Sequence, residues 1–226
     1  MDIVCAGENL TLLPERALLW PRRRTLFVAD LHFGKSAAFR AAGIPMPEGC
    51  TSDDLKRLDR LMELYSINTL IILGDFFHAA SGCSEPIMSQ IETWCGRHSK
   101  VSKILVPGNH DKKSSPPPAC WNFQIQHEPF LLDPFAGCHS PRRHVGHYVL
   151  AGHIHPGFAL QERYGRGIRL PCFVFGKYGA ILPAFGGFTG LHPVDLVPGD
   201  SVYLVGDGKV FALPEFKATR KTRQLK

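Results

Sequence analysis

The segment Thr25-Leu-Phe-Val-Ala-Asp-Leu-His, residues 25–32, decides how this chain folds. Its first five residues are apolar or favour strands, and a continuous run of this kind is typical of a strand covered on both faces. The run ends at Asp30, and His32 follows two positions later. The segment therefore predicts a buried strand of a layered α/β fold, with a carboxylate and an imidazole in the loop at its end.

Three more apolar runs end in a similar way. They span residues 69–73, 103–106 and 148–151. The polar stretches that follow them are Gly74-Asp75, Gly108-Asn109-His110-Asp111 and Gly152-His153-Ile154-His155. In open α/β sheets, binding sites form where strands release their carboxyl ends into loops. We therefore expect the four loops to meet, although they are far apart in the chain.

Helical patterns connect the first three runs. Residues 51–65 begin with an N-cap signal at Thr51 and place their apolar residues on one helical face. Residues 86–99 begin with Pro86 and also carry apolar residues at helical spacing. Strand and helix thus alternate, which predicts βαβαβ crossovers and a parallel sheet for the first half.

The second half of the chain is predicted to consist mostly of strands. Residues 167–175 and 179–185 are apolar and rich in β-branched or aromatic side chains. A hairpin is predicted over residues 202–213, because Gly206-Asp-Gly lies between two apolar runs. The predicted loops are residues 112–118, with three consecutive prolines, and residues 140–147.

The composition is that of a soluble globular protein. The 226 residues carry a net charge of +6, are 44% hydrophobic and have a mean hydropathy of −0.05, which excludes disordered, collagen-like and fibrous classes. The length suits one domain, predicted over residues 1–216. Residues 217–226 hold five cations and no acid, which predicts a disordered basic tail and leaves the rest of the chain at only +1.

The cysteines and the N-terminal sequence indicate the compartment. Seven cysteines are an odd number, and no two form a Cys-x-x-Cys pair, so neither a disulfide framework nor a structural zinc site is predicted. The N-terminus lacks the features of a signal peptide. The longest uncharged run, residues 178–194, is broken by glycines and prolines and does not suit a membrane helix. We therefore expect a cytoplasmic protein with no membrane association.

The four loop motifs share one ligand chemistry. Carboxylate, imidazole and amide oxygen suit divalent ions such as manganese, iron or zinc, whereas structural zinc sites are rich in thiolates. Two aspartates with several histidines predict two ions that share one carboxylate. Such a pair clamps the attacking and leaving oxygens of a phosphoryl centre. Aminopeptidases also use metal pairs, so the ligand types alone leave carbon-centred hydrolysis open.

In this order the motifs Asp-x-His, Gly-Asp, Gly-Asn-His-Asp and Gly-His-x-His resemble those of the calcineurin-like metallophosphoesterases, over residues 25–160. Nearly the whole chain is also similar to the bacterial ligase-associated DNA damage response endonucleases. That similarity rests on Ala29-Asp-Leu-His-Phe-Gly-Lys, Gly43-Ile-Pro-Met-Pro, Leu73-Gly-Asp-Phe-Phe-His, Ala151-Gly-His-Ile-His-Pro and Leu182-Pro-Ala-Phe-Gly-Gly-Phe-Thr-Gly. The resemblance implies a β-sandwich flanked by helices, in α/β/β/α layers, with a dimetal site at the carboxyl ends of strands.

The resemblance also implies a role for each motif residue. His110 would face the scissile phosphate, and metal-bound hydroxide would attack in line. A lone histidine is expected between the last two motifs; His139 follows a strand-like run and is the best candidate, with His127 and His144 as rivals. One metal would be held by Asp30, His32, Asp75 and His155, and the other by Asp75, Asn109, His139 and His153.

One position departs from the family pattern. Many relatives have Gly-Asp-x-x-Asp, whose second aspartate orients the catalytic histidine, but this chain has His78 there, so the partner of His110 is open. The pattern of residues 74–78, Gly-Asp-Phe-Phe-His, also resembles that of the double-strand-break repair nucleases. Phe185 and Phe188 are interpreted either as base-stacking or as packing residues. Candidates for residues that support the ligands or contact substrate are Lys35, His78, Asp111, Arg142 and Arg143.

These observations predict metal-dependent hydrolysis of DNA phosphodiesters by an endonuclease that acts in repair. One alternative is a phosphoesterase for a nucleotide or another small soluble phosphoester; another is a non-catalytic scaffold of the same fold, although His110 and all expected ligands are present. The predicted cofactor is a pair of divalent metal ions, with manganese expected first and iron or zinc as alternatives. The resemblance implies DNA, a DNA ligase and a helicase as partners, and no sequence fingerprint suggests a nucleotide cofactor.

Overall fold

The first sheet holds seven strands in their order along the chain. The computed structural model describes residues 1–160 and 167–214. The strands are β1 (Asp2–Cys5), β2 (Glu8–Leu13), β3 (Ala17–Trp20), β4 (Thr25–Val28), β5 (Thr69–Leu73), β6 (Ser102–Val106) and β7 (Phe123–Ile125). β1 to β4 are antiparallel neighbours and β4 to β7 are parallel. The parallel βαβαβ prediction is confirmed, whereas β1 to β3 and β7 were not predicted.

Three α-helices connect the parallel strands: α1 (Lys35–Ala41), α2 (Cys50–Leu64) and α3 (Glu85–Arg97). α2 and α3 lie within two residues of the predicted helices, and α1 was not predicted. The predicted cap is wrong, because a glycine precedes the first turn of α2 and the Thr51 hydroxyl instead accepts a hydrogen bond from the Gly34 N–H at 3.2 Å. That contact ties α2 to the loop after β4.

The second sheet is built from the second half of the chain. Its strands are β8 (Phe130–Leu132), β9 (Phe135–Cys138), β10 (Tyr148–Ala151), β11 (Pro156–Leu160), β12 (Ile168–Phe175), β13 (Gly179–Ile181), β14 (His192–Pro193), β15 (Ser201–Gly206) and β16 (Lys209–Ala212). They lie in the order β14-β11-β12-β13-β10-β9-β8, with β15 between β12 and β16. The predicted β15–β16 hairpin is confirmed. The strand predicted over 179–185 is wrong beyond Ile181, because Pro183 has no N–H for the ladder.

The two sheets pack face to face, and helices cover the outer face of the first. Neighbouring residues of a strand point to opposite faces. Phe27 and Ile71 therefore belong to the core between the sheets, together with Phe173, whereas Ile72 packs on the helical side with Trp94 of α3. The predicted α/β sandwich is confirmed by this arrangement.

The outer face of the second sheet has no α-helix in residues 1–160 and 167–214. Val194 and Leu196 of an irregular segment pack there against Val174. This differs from the four layers that the resemblance implies, because residues 183–200 contain four glycines and three prolines, which disfavour a helix. In the same described ranges, no helix is long and apolar enough to cross a membrane. The predicted basic tail lies outside the described residues.

Candidate metal centre

Loops from both sheets converge at the carboxyl ends of the parallel strands. Backbone hydrogen bonds join the loop ends, since the Asp30 N–H donates to the Gly74 carbonyl and the Gly152 N–H to the His139 carbonyl, both at 3.1 Å. The structure thus brings together the sequence-assigned residues after β4, β5, β6, β9 and β10. They are Asp30, His32, Asp75, Asn109, His110, His139, His153 and His155.

The first ligand group consists of Asp30, His32 and His155, all of which are buried. The Nε2 atoms of His32 and His155 lie 3.2 Å apart, and His155 Nε2 lies 3.6 Å from Asp30 Oδ1. Asp75 Oδ2 is 3.7 Å from His32 Nε2, so this carboxylate also reaches the group. The three side chains can therefore offer ligand atoms to one ion.

The second ligand group consists of Asp75, Asn109, His139 and His153. His139 Nε2 lies 2.9 Å from Asn109 Oδ1, 3.0 Å from His153 Nδ1 and 3.6 Å from Asp75 Oδ1. The structure brings His139 to this group and not its rivals His127 and His144. Asp75 has one oxygen beside each group, so its carboxylate could serve both of them.

The chemistry of these residues fits two divalent cations. Asp30 is fully buried and its Oδ1 has no hydrogen-bond partner. In the described part of the chain, no lysine or arginine pairs with Asp30 or Asp75. A buried carboxylate oxygen without a hydrogen-bond partner is costly, and coordination to a cation satisfies it. Oxygen and imidazole ligands suit manganese, iron or zinc.

Burial lowers the pKa of two imidazoles of this centre, His32 and His153. It lowers the pKa of His32 to about 2, and the charges of His155 and Lys35 act in the same direction. Burial also lowers the pKa of His153 and raises the pKa of Asp75. A neutral imidazole has the free lone pair that a metal ion needs, so these histidines are ready to bind one near neutral pH.

Five residues of the centre have left-handed backbone conformations. Their φ angles lie between 48° and 71°, a region that costs a non-glycine residue on the order of 1 kcal/mol. They are Asp30, His32, Asp75, His153 and His155. Such conformations persist only where the surrounding fold enforces them. The strand ends therefore hold these ligands in place at a cost in stability.

Gly108 makes room for two of the ligands. A Cβ at this position would lie 2.2 Å from Asp75 Oδ1 and 2.8 Å from His139 Cε1. Both distances are far below van der Waals contact, so any larger residue would displace a ligand. The Gly-Asn-His-Asp motif thus begins with glycine because a side chain at this position would clash with the ligands.

His110 lies on the open side of the centre, with 34% of its side chain exposed. Its backbone N–H donates to Asp75 Oδ1 at 2.9 Å, and its Nδ1 donates to the backbone carbonyl of His78 at 2.6 Å. The remaining nitrogen, Nε2, lies 4.0 Å from Asp75 Oδ2 and faces the centre. The group that orients the His110 ring, which the sequence did not identify, is therefore the backbone carbonyl of His78.

The His78 side chain supports two neighbours of the centre. Its ring stacks on His110, with centroids 5.0 Å apart and planes at 24°. Its Nδ1 lies 3.3 Å from His32 Nδ1. Burial lowers the pKa of His78 to about 4, and the charge of Lys35 adds to this effect. His78 thus contacts a ligand instead of supplying the carboxylate found in many relatives.

Two carboxylates hold the loops that carry the ligands. Asp111 accepts hydrogen bonds from the N–H groups of Gly108 at 2.9 Å and Phe77 at 3.2 Å. Glu128 accepts hydrogen bonds from the backbone N–H groups of His139 at 2.9 Å and Ser140 at 3.2 Å. Sequence reasoning selected Asp111 but missed Glu128, because a lone acid in a loop has no distinguishing pattern.

The three predicted cationic contacts differ in their surroundings. Lys35 is partly buried beside the first ligand group, where its charge lowers the pKa of His32. Arg142 and Arg143 are exposed, and the Arg143 guanidinium lies 4.1 Å from the centre of the Tyr178 ring. The structure brings neither arginine into a ligand group.

Comparison with known proteins identifies a close relative. The crystal structure of Pseudomonas putida nuclease MPE is 41% identical to this chain, with a TM-score of 0.82, over 94% of this chain and 99% of that one. E. coli Yfce, a phosphoesterase, is 17% identical, with a TM-score of 0.42 over 81% and 88% of the two chains. Aquifex aeolicus AQ665, a protein of unknown function, is 18% identical, with a TM-score of 0.40 over 62% and 81%. The last two similarities are too low to support a conclusion.

A family match agrees with the geometry of the centre. A search of curated proteins gave no significant match. Residues 23–156 match the family of calcineurin-like phosphoesterases, and this range contains Asp30, His155 and every other residue of the two ligand groups. The chain belongs to the calcineurin-like phosphoesterase family and is a metallophosphoesterase homologous to a nuclease.

Proposed function

We propose that this protein is a metal-dependent DNA endonuclease that acts in DNA repair. The observation that carries the proposal is the pair of ligand groups that share Asp75. The near full-length similarity to Pseudomonas putida nuclease MPE supports a nucleic-acid substrate. The resemblance to ligase-associated endonucleases supports a role in repair and an association with a DNA ligase and a helicase. Seven free cysteines support a reducing, cytoplasmic compartment.

In this proposal Asp75 would contribute a ligand atom to each of two manganese ions. The remaining ligands are Asp30, His32 and His155 on one side and Asn109, His139 and His153 on the other. Two divalent cations in such a site activate water and neutralise the charge of a phosphoryl centre. The oxygen and imidazole donors also suit iron or zinc, so the choice of manganese is to be tested with each ion.

His110 acts on the phosphate in this proposal. Its Nδ1 is occupied by the His78 carbonyl, which fixes the ring and directs Nε2 toward the centre. In the protonated imidazole both nitrogens donate, so Nε2 can give a proton to the leaving oxygen or a hydrogen bond to a phosphoryl oxygen. The partial exposure of His110 on the open side of the centre suits this role.

Plasmid nicking in the presence of manganese tests the proposal, beside a panel of nucleotides and monoesters. We expect nicking by the wild type, and a loss of about 100-fold or more in the H110A variant with its metal content unchanged. The exposed His127 provides the matched control, and H127A should nick like the wild type. Turnover of nucleotides without nicking would instead identify an enzyme for small phosphoesters, and no hydrolysis of any ester would identify a scaffold.

A further inference from the structure

Lys35 is a partly buried cation beside the metal centre. It begins α1, three residues after His32, and its backbone N–H donates to the His32 carbonyl at 3.1 Å. Its Nζ lies 5.8 Å from the centre of the Phe188 ring. Within the described residues no carboxylate lies within 4.0 Å of this ammonium group. Because Lys35 is only partly buried, its ammonium group remains accessible to an anion from outside the chain.

The charge of Lys35 also acts on two histidines of the centre. It contributes to lowering the pKa values of both His32 and His78. Burial lowers the pKa of Lys35 itself, and no acidic neighbour offsets that effect. The backbone hydrogen bond from Lys35 to His32 keeps this lysine within one helical turn of a ligand.

A row of aromatic rings leads from the centre to Lys35. The His78 ring is nearly parallel to His110 on one side and to Phe39, 6.0 Å away at 15°, on the other. Phe39 then meets Phe188 edge to face at 6.0 Å. The rings of His78 and Phe39 thus separate Lys35 and Phe188 from His110, which faces the scissile phosphate in the proposed mechanism.

The Phe188 loop is held firmly beside this row. The Gly186 N–H donates to the Asp30 carbonyl at 3.2 Å, and the Gly187 N–H donates to Asp54 of α2 at 3.0 Å. Phe185 is fully buried, which assigns it to core packing and not to base stacking. Phe188 is only partly buried. Phe188 therefore forms a fixed apolar wall for the stem of Lys35 while the ammonium group stays available to a ligand.

From these contacts we infer that Lys35 binds a phosphate of the nucleic-acid strand next to the one that is cleaved, with Phe39 and Phe188 as the wall of this subsite. The inference rests on the proposed function, because only a polymeric substrate offers a neighbouring phosphate. It assigns Lys35 a role in substrate selection: the subsite favours a strand over an isolated phosphodiester.

The K35M variant, which keeps an apolar stem against Phe188, tests the inference. For bis(p-nitrophenyl) phosphate, kcat/KM should stay within about 2-fold of the wild type, and for a DNA oligonucleotide it should fall about 10-fold or more. We also expect a change in oligonucleotide binding by the metal-free K35M protein. The slope of log K against log salt should be shallower than that of the wild type by about 0.7–0.9, since one phosphate contact is removed. K35R should restore part of the loss.

K100M is the matched control. Lys100 is exposed and precedes β6, at the opposite end from the centre, so this variant should behave like the wild type with both substrates. An equal loss on both substrates in K35M, or no loss on either, would overturn the inference while the proposed function stands. If the wild type cleaves the small diester but no nucleic acid, the proposed function itself fails.

Discussion

At the scale of single residues, the ligands of the metal centre destabilise the metal-free protein. Asp30 is fully buried, and its Oδ1 lacks a hydrogen-bond partner. The left-handed backbone of Asp30, with φ at 54°, adds to this cost. A cation that binds only the folded state would stabilise it in proportion to its concentration over Kd. Metal binding and stability should therefore be coupled at Asp30.

The D30N variant tests this coupling. Without metal we expect it to be more stable than the wild type by about 1–3 kcal/mol, because the amide keeps the shape and removes a buried charge. With manganese it should gain far less stability than the wild type does. Urea unfolding with a chelator and with manganese measures both. D195N, at an exposed position, is the control and should change stability by less than about 0.5 kcal/mol. A metal-free D30N protein less stable than the wild type would contradict this account.

At the scale of elements, the space between strand ends limits which residues fit. Gly108 lies against Asp75 and His139 from neighbouring loops. Gly96, near the end of α3, has no atom within 4 Å of an added Cβ. The same chemical change, glycine to alanine, should therefore have opposite effects at these two positions.

We expect G108A to lower phosphodiester turnover by about 100-fold or more and stability by about 1–3 kcal/mol, because the new methyl group displaces ligands. G96A should leave turnover unchanged and raise stability by about 0.4–1 kcal/mol, because alanine favours a helix. Steady-state turnover and thermal unfolding of both variants check this. A G108A enzyme with full activity would mean that Asp75 does not occupy the position seen in the structure.

A buried carboxylate on α2 anchors the loop after β13. Asp54 accepts hydrogen bonds from Gly187 and pairs with Arg57 at 2.9 Å. Burial nevertheless raises the pKa of Asp54 from 3.8 to about 6. Between about pH 4 and pH 6 the folded protein therefore binds this proton more tightly than the unfolded chain does. The contribution of Asp54 to stability is largest at low pH and falls as the pH rises through that range.

The D54N variant has no such proton to lose. The free energy of unfolding of the wild type relative to D54N should therefore decrease by up to about 3 kcal/mol from pH 4 to pH 6 and change little above. Urea unfolding of both proteins across this range measures the difference, and titrations of the metal ligands cancel in it. A difference that is independent of pH would show that Asp54 ionises as readily in the folded protein as in the unfolded one.

At the scale of the whole molecule, the sequence predicted the elements that carry local signals. The parallel strands β4, β5 and β6 are apolar runs with the ligands directly at their ends, so the sequence predicts both these strands and the ligands. β1 to β3 were missed because runs such as Ala17-Leu-Leu-Trp20 favour helix as much as strand, and pairing with neighbours decides their structure. Glu128 and the left-handed φ of His153 depend on contacts with distant loops, which no local pattern encodes.

The distribution of charge over the chain gives one further prediction. Residues 217–226 hold five of the cations, and the rest of the chain has a net charge of only +1. If this segment contacts phosphates, its deletion should weaken DNA binding. The slope of log K against log salt concentration should then become shallower by up to about four. Turnover of a small diester should not change. Fluorescence anisotropy with an oligonucleotide at several salt concentrations checks this, and an unaltered slope would exclude the segment from DNA binding.

In the proposed mechanism one shared carboxylate, Asp75, organises two metal ions for phosphodiester hydrolysis. The most direct test is a manganese titration of the metal-free protein that follows ion binding and diester turnover together, with the D75N variant beside the wild type. We predict two ions bound per chain, turnover only when both are present, and the loss of turnover in D75N. Full turnover by the chelated protein, or by D75N, would show that hydrolysis does not depend on metal ions held by Asp75.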